Sequence, residues 1–209
     1  MTVQTDICNA ALIKLAQEPI EDISNDEKNA RLCKARYQTI VDQVLRDSLW
    51  SFAIKRQVLP KKSESLAYGD GDIYALPQDS VRVVRIGRYP GSSGHTREYY
   101  KIEGNDLIIF GLSGDQANLM YISNDISEAM FDASFKEAVA LKLAVELCYA
   151  ITQSTSLKNQ LLQEYEQITL PASKSINSQE VSPDAFAFDT FLNARQRNHG
   201  QIHPDADFV

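Results

Sequence analysis

The 209-residue sequence predicts an α+β protein that is mainly α: a four-helix bundle with an inserted antiparallel β region and an extended C-terminal arm. Three observations lead to this prediction. Segments with helical periodicity lie towards both ends, short strand-like runs separated by turns lie between them, and a polar tail with clustered phenylalanines follows. The expected boundaries are residues 1–52 and 127–172 for the bundle, 53–126 for the β region and 173–209 for the arm.

Two helices are predicted before the β region. Apolar residues at helical spacing place the first over about residues 5–17, and Pro19 ends it because proline disfavours helical geometry in the residue before it. Ser24 and Glu27 have the spacing of a capping box, so the second helix is expected to start there and to run to about residue 48. Both helices are amphipathic and need a partner.

Short strands are predicted after the second helix. Residues 80–86 alternate apolar and polar side chains, and two apolar runs flank a turn at residues 103–106, which is a good β-hairpin signal. Four or five such strands suggest a small antiparallel sheet or sandwich. Trp50 and Phe52 stand where helical periodicity gives way to strand periodicity, so we expect them to pack where the two parts meet.

The segment at residues 127–152 is predicted to be the central helix of the core. Its charged residues fall mainly on one narrow stripe, and almost every other position is apolar, so other elements must cover most of it. Charges interrupt every run of about 20 residues, so it is not predicted to span a membrane. Glu137 lies opposite the stripe, among apolar residues. Its carboxylate is expected to interact with the helix dipole or a nearby arginine, and the alternative is a contact with a neighbouring subunit.

A fourth helix and then an arm are predicted to follow. The fourth helix begins near Leu157, ends near Pro171, and is expected to pair with the central helix in antiparallel orientation because the link is short. The tail is too short to bury its own apolar side chains, so we expect it to dock on another subunit or a partner, the alternative being a disordered tail. The expected anchors are Phe186, Phe188, Phe191, Leu192 and Arg195.

Composition excludes several classes of function. A net charge of −7 argues against non-specific affinity for nucleic acid or anionic membranes. The three cysteines lack metal-ligand spacing and are expected to be buried, reduced thiols. The N-terminus has no basic segment typical of a signal peptide, so synthesis and retention in a reducing cytoplasm are expected.

No catalytic, metal or cofactor site is predicted, and the protein is not expected to be an enzyme. His95, His199 and His203 have no nucleophile or carboxylate at a meaningful spacing. Asp70 and Asp72 lie in a Gly-rich turn that lacks the other ligands of a calcium loop. Pairs of carboxylates for glycoside hydrolysis could be drawn from Asp70, Asp72, Glu103 and Asp106, but 28 acidic residues produce such pairs by chance.

Three stretches in order resemble one family. They are Ile7-Cys-Asn-Ala-Ala-Leu-Ile-Lys-Leu-Ala-Gln-Glu-Pro-Ile20, Leu45-Arg-Asp-Ser-Leu-Trp-Ser-Phe-Ala53 and Tyr74-Ala-Leu-Pro-Gln-Asp-Ser-Val-Arg-Val83, followed by the long helix rich in Ala and Leu. This order resembles the head-to-tail adaptors of tailed bacteriophages, the tail tubular protein A or gatekeeper group of short-tailed phages. The resemblance covers about residues 7–170. Ala16 is a departure, since the family pattern often has glycine there.

The resemblance implies a structural virion protein, made in the host cytoplasm, that forms a dodecameric ring at the head–tail junction. Its implied partners are the portal protein, a tail nozzle or tail tube protein, tail fibres, and translocating DNA bound without sequence specificity; no membrane is involved. By analogy the helical part and the arm would engage the portal, and the β region, with the loops of Asp70, Asp72 and His95, would face the nozzle. The alternatives are a virion-borne cell-wall or polysaccharide hydrolase, a connector of a long-tailed phage, and a bacterial binding module.

Overall fold

The structure, a computed structural model, describes residues 2–87, 99–111, 115–173 and 175. Within these residues the chain forms four α-helices and six strands. In chain order they are α1 (Val3–Lys14), α2 (Lys28–Asp47), β1 (Ile54–Pro60), β2 (Asp72–Ala75), β3 (Ser80–Ile86), β4 (Tyr99–Glu103), β5 (Asp106–Phe110), β6 (Gln116–Ser123), α3 (Ala133–Thr152) and α4 (Thr155–Glu164). A π-helical turn, Tyr165–Thr169, continues α4.

The helix α3 is the centre of the helical layer. Its Asp132 N-cap accepts a hydrogen bond from the Phe135 backbone N–H, and ten of its side chains are buried. The helices α1, α2 and α4 all pack on α3, whereas α1 and α2 contact each other much less. This explains why α3 is apolar around most of its circumference: three helices cover it from different sides. Glu137, near its start, forms an ion pair with Lys14 of α1 at 2.7 Å.

The prediction of a mainly α four-helix bundle with an inserted β region is wrong. The protein is α+β, about 49% helix and 23% strand, with two three-stranded antiparallel sheets. Strand residues also belong to the core around α3. Ile122 of β6 is buried among the helical residues, and three further strand residues pack against them: Ile54, Val81 and Val84. Since strands close this core, the β part is a layer of the same structure and not an insertion looped out of a bundle.

The two sheets pack face to face. Sheet I has the order β1-β6-β3, and sheet II has the order β2-β5-β4. Apolar side chains from both sheets form a second core between them, and this core includes Leu59, Val83, Leu119 and Tyr121 from sheet I and Tyr74, Leu107 and Ile109 from sheet II. Sheet I therefore lies between the helices and sheet II, because alternate residues of its strands point to opposite faces.

The link between α1 and α2 is held by a buried side chain. The Asn9 side chain donates to the Ile20 carbonyl at 3.0 Å and accepts from the Ile20 N–H at 2.8 Å. The predicted capping box is wrong, because α2 starts at Lys28 and its N-cap, Glu27, makes no side-chain capping bond. Ser24 instead donates both its N–H and its hydroxyl to the Asp22 carboxylate. That local turn competes with helix formation and delays the start of α2.

The end of α1 is a Schellman motif with alanine in the glycine position. The Gln17 N–H bonds to the Leu12 carbonyl and the Ala16 N–H to the Ile13 carbonyl, both at 3.0 Å. Ala16 has φ of 54°, in the left-handed region. An L-residue with a Cβ is about 1–2 kcal/mol less stable there than in the right-handed region. Glycine, which has no Cβ, is the residue that this geometry favours.

Replacing Ala16 with glycine is expected to stabilise the protein by about 1 kcal/mol, because the loss of strain exceeds the added entropy of the unfolded chain. Ala16 is exposed, so no packing changes. Chemical denaturation of both proteins would measure the effect. The matched control is Ala10→Gly, inside the same helix, which should lower stability instead. Equal destabilisation by both substitutions would contradict the prediction.

Candidate functional site

Trp50 and Phe52 lie in an aromatic cluster where the helices meet sheet I. Trp50 is fully buried, and its indole N–H donates to the Val44 carbonyl at 2.9 Å. Its ring meets Phe135 of α3 edge-on, with centroids 4.9 Å apart, and Phe52 contacts the same Phe135 ring at 5.0 Å. Phe131 completes the cluster. These rings connect the end of α2, the start of β1 and the start of α3. The cluster therefore fixes the position of the helical layer relative to sheet I.

A second tie between the layers is formed by α2 and β3. The Arg46 side chain donates to the Val81 carbonyl at 3.0 Å, and the Arg82 side chain donates to the Arg46 carbonyl at 3.0 Å. Each arginine therefore binds the backbone of the other element. The two bonds hold the end of α2 against sheet I, next to the aromatic cluster.

Asp79 is the centre of a polar network at the edge of sheet I. Its carboxylate accepts hydrogen bonds from Ser123 at 2.6 Å, from Lys55 at 3.0 Å and from the Tyr121 hydroxyl at 3.2 Å. Its backbone carbonyl accepts from the Asn124 N–H. Asp79 thereby ties the segment before β3 to β1 and β6. Burial opposes ionisation of Asp79, but these hydrogen bonds outweigh it and hold the pKa of the carboxyl below its usual 3.8.

This network predicts a specific loss of stability in acid. Because the folded-state pKa of Asp79 is depressed, its stabilisation is present above the ordinary value of 3.8 and is lost as pH falls through the lower folded-state pKa. In Asp79→Asn we expect a smaller dependence of unfolding free energy on pH between about 5 and 2. The measurement is urea denaturation across this range. Asp26→Asn removes a carboxylate that is 91% exposed and serves as control; identical pH profiles for wild type and Asp79→Asn would refute the assignment.

A third network joins three helices. The Asp47 carboxylate, at the end of α2, pairs with Lys142 of α3 at 2.5 Å and accepts from the Tyr165 hydroxyl at 2.8 Å. The Lys142 ammonium also lies 5.1 Å from the centre of the Tyr165 ring. Burial and the Asp47 carboxylate raise the pKa of Tyr165, which keeps its hydroxyl protonated as a donor. The contact places the π-helical turn after α4 against the middle of α3.

Two of the four carboxylates considered for glycoside hydrolysis form ion pairs with lysines in the structure. Lys61 pairs with Asp72 at 2.7 Å and Lys62 pairs with Asp106 at 2.6 Å. Asp70 is exposed in the turn before β2, and Glu103 is exposed opposite Asp106 in the β4–β5 hairpin. The structure therefore places Asp72 and Asp106 in ion pairs that link the end of β1 to sheet II. A glycosidase needs one carboxylic acid that stays protonated, and a neighbouring lysine ammonium favours the ionised carboxylate instead. These ion pairs therefore argue against a glycosidase site.

An open groove lies on the outer face of sheet I, on the side that faces away from sheet II. Its volume is about 340 Å³. Arg56, Val58, Arg85, Asn118 and Met120 lie on this face, Gly87 follows β3, and Gln57 and Leu119, which alternate with them along the strands, also border the groove. The register places Met120 between Arg56 and Arg85, so two basic side chains flank an apolar one on the same face. The sequence did not reveal this groove, because it predicts the strands but neither their order nor the register that sets Arg56, Met120 and Arg85 side by side.

Several predicted site residues lie outside the described residues. They are His95 and the arm residues Phe186, Phe188, Phe191, Leu192 and Arg195. Cys8, Cys33 and Cys148 are buried, as expected, and each is a free thiol in the structure. Contact with Cys33, together with burial, raises the pKa of the Cys8 thiol.

In residues 2–87, 99–111, 115–173 and 175, no group of three or more His, Cys, Asp and Glu side chains is placed to hold a metal ion. Within the same part of the chain, no helix has the length and apolarity needed to cross a bilayer.

Comparison with known proteins assigns no family. No protein-family model matches the chain, and no curated protein matches it significantly.

Proposed function

We propose that the chain is a structural virion protein: a head-to-tail adaptor that forms a ring between the portal and the distal tail of a bacteriophage. The supporting observation is that each of the three resembling stretches contributes a framework residue. Asn9 of the first binds the backbone of Ile20, Trp50 of the second fills the junction of helices and sheet, and Asp79 of the third joins three segments of sheet I. Such residues stabilise the fold, which is what a structural subunit of a ring requires.

The proposed ring joins two assemblies and provides part of the DNA ejection channel. A net charge of −7 suits a conduit through which a polyanion must pass without being held. The proposal therefore includes no sequence-specific DNA contact. Tight binding of duplex DNA by the purified protein at low ionic strength would contradict this part of it.

The arm is the proposed portal-binding element. Phe186, Phe188 and Phe191 are its anchors, since buried aromatic side chains supply a large share of contact energy at interfaces. The helical layer lies next to the arm in sequence, because α4 and its π-helical turn directly precede it. We propose that this layer forms the rest of the portal contact and that sheet II faces the tail.

The deciding experiment measures the solution mass of the purified protein alone and mixed with its cognate portal ring. We expect the portal to gain the mass of a full ring of subunits. A chain ending at Ser178 should fail to add, and so should a full-length chain with Phe186, Phe188 and Phe191 changed to serine. Substitution of Ile102 by serine is the control and should add normally, because Ile102 is exposed on β4 of sheet II, away from the proposed portal contact. No association of the wild type at any salt concentration would overturn the proposal.

A further inference from the structure

The outer face of sheet I is covered over only half of its length. Ile54 of β1 and Ile122 of β6 are paired in the sheet and pack into the helical core. Two residues further along β1, the same face carries Arg56, and the next position on that face is Val58, which is 52% exposed. The helices therefore leave an open half of this face, which is the groove lined by Arg56, Val58, Arg85, Gly87, Asn118 and Met120.

The open half has a defined shape and charge. One row across the strands is Arg56, Met120 and Arg85, and the next row is Val58 beside Asn118, with the Gly87 N–H bonded to the Asn118 carbonyl at 2.9 Å. Glycine has no side chain, so the second row has a gap beyond Asn118. The groove thus combines an apolar floor, room for a side chain and a basic rim. Arg56 and Arg85 also interact with other groups of the protein, so the inference depends on their position and charge and not on a vacant donor.

An occupant of matching chemistry is acidic and aromatic. Residues 184–192, Asp-Ala-Phe-Ala-Phe-Asp-Thr-Phe-Leu, contain two aspartates, no basic residue and three phenylalanines. Phe186 and Phe188 alternate with small residues, a spacing that puts both rings on one face of an extended chain. The segment that follows Gly87, residues 88–98, contains Arg88 and Arg97 against Glu98 and so lacks this charge complementarity.

The linker between the described helical residues and this segment is long compared with the groove. The helix α4 runs antiparallel to α3, since Cys148 lies near Ser154 and Lys142 lies near Tyr165. The helical residues that follow, as far as Ser173, continue towards the start of α3, where Phe135 contacts the aromatic cluster that leads into β1. From Ser175 to Asp184 the chain can span about 30 Å, whereas Val58 lies only about 13 Å along β1 from Ile54.

We propose that in the isolated protein the segment Asp184–Leu192 docks in the groove of its own molecule, with phenylalanines over Val58 and Met120 and aspartates beside Arg56 and Arg85. This inference concerns the free subunit and does not depend on what the arm binds after assembly. The docked arm shields its aromatic side chains and the open sheet face together, and any partner of the arm must displace it.

Methionine oxidation by dilute hydrogen peroxide tests the proposal. Met120 lies in the groove, and Met130, which is 57% exposed between β6 and α3, is an internal reference. With an effective concentration of about 1 mM and a dissociation constant of about 0.1 mM, the arm is docked about nine-tenths of the time, so Met120 should oxidise about tenfold more slowly than in a chain ending at Ser178. Cleavage after Glu128 separates the two methionines for mass spectrometry.

Matched variants establish the cause of any protection. The full-length double substitution Phe186→Ser and Phe188→Ser and the double substitution Arg56→Glu and Arg85→Glu should both accelerate Met120 oxidation and leave Met130 unchanged. Arg31→Glu, an exposed arginine at the start of α2, is the control for charge reversal and should change neither rate. A peptide of residues 182–194 should restore protection to the truncated chain.

Two results would overturn the proposal. The first is an equal ratio of Met120 to Met130 oxidation in the full-length and truncated chains, which would show that the arm does not cover the groove. The second is protection that disappears on dilution together with a loss of dimer mass, which would assign the occupant to a second copy. Docking within one molecule requires protection that is independent of concentration.

Discussion

Trp50→Ala is expected to lower the free energy of unfolding by about 4 kcal/mol, the largest effect of any single substitution considered for this chain. The side chain is fully buried, and alanine would leave a cavity bordered by the rings of Phe52 and Phe135. These rings belong to the junction of two layers, so neighbouring elements cannot collapse into the space without moving helices relative to sheet I. The indole hydrogen bond to the Val44 carbonyl would also be lost.

Two companion variants separate packing from hydrogen bonding. Trp50→Phe keeps an aromatic ring and removes the N–H, so its expected cost is smaller, about 2 kcal/mol. Ile13→Ala removes apolar atoms from a side chain that is 65% exposed and should have little effect. Since Trp50 is the only tryptophan, unfolding must be followed by circular dichroism. A cost for Trp50→Ala no larger than that for Ile13→Ala would show that the junction is not a packed core.

Asn9→Ala is the second large effect, with an expected cost of about 3 kcal/mol. The amide of Asn9 satisfies both the N–H and the carbonyl of Ile20, and Asn9 and Ile20 are both buried. Alanine would leave two buried backbone groups without a partner, and water would have to enter the core between α1 and the following segment to replace it. Denaturant unfolding measures the cost.

Substitutions of known chemistry test this reason. Asn9→Asp keeps an acceptor for the Ile20 N–H but sets an oxygen against the Ile20 carbonyl, so it should also destabilise. Asn159→Ala, in the exposed face of α4, removes a similar amide and should be neutral or slightly stabilising. If Asn9→Ala and Asn159→Ala behave alike, the Asn9 amide contributes nothing specific to the link.

The sequence predicted correctly those features that depend on residues close together in the chain. The β4–β5 hairpin, the strand β3 and the burial of α3 depend on periodicity and turn residues, and all three are present. The start of α2 was wrong because a capping box and a turn anchored on Asp22 use the same Ser24 atoms. The four-helix bundle was wrong because periodicity shows that a helix has an apolar face and does not show whether another helix or a sheet covers it.

The candidate functional residues differ in the same way: those marked by local sequence were predicted, and those brought together by distant strands were not. Trp50 and Phe52 could be placed at the junction because the change of periodicity marks it in the chain. The network of Asp79 and the groove between Arg56 and Arg85 could not, since each joins residues of strands that are far apart in sequence. The signal for Asp79 was present only as a carboxylate directly before a strand, which many turns share.

By itself, the sequence determined the composition, the net acidic charge, the helical and extended segments and the cluster of phenylalanines near the C-terminal end. Only the tertiary structure decided that sheet I closes the helical core, that Asn9 binds Ile20 and that two arginines flank an open groove. The physical reason is the range of the interactions. Propensity and periodicity act within one turn or one strand pair, whereas strand order, register and layer packing depend on contacts between distant segments, which one sequence does not specify locally.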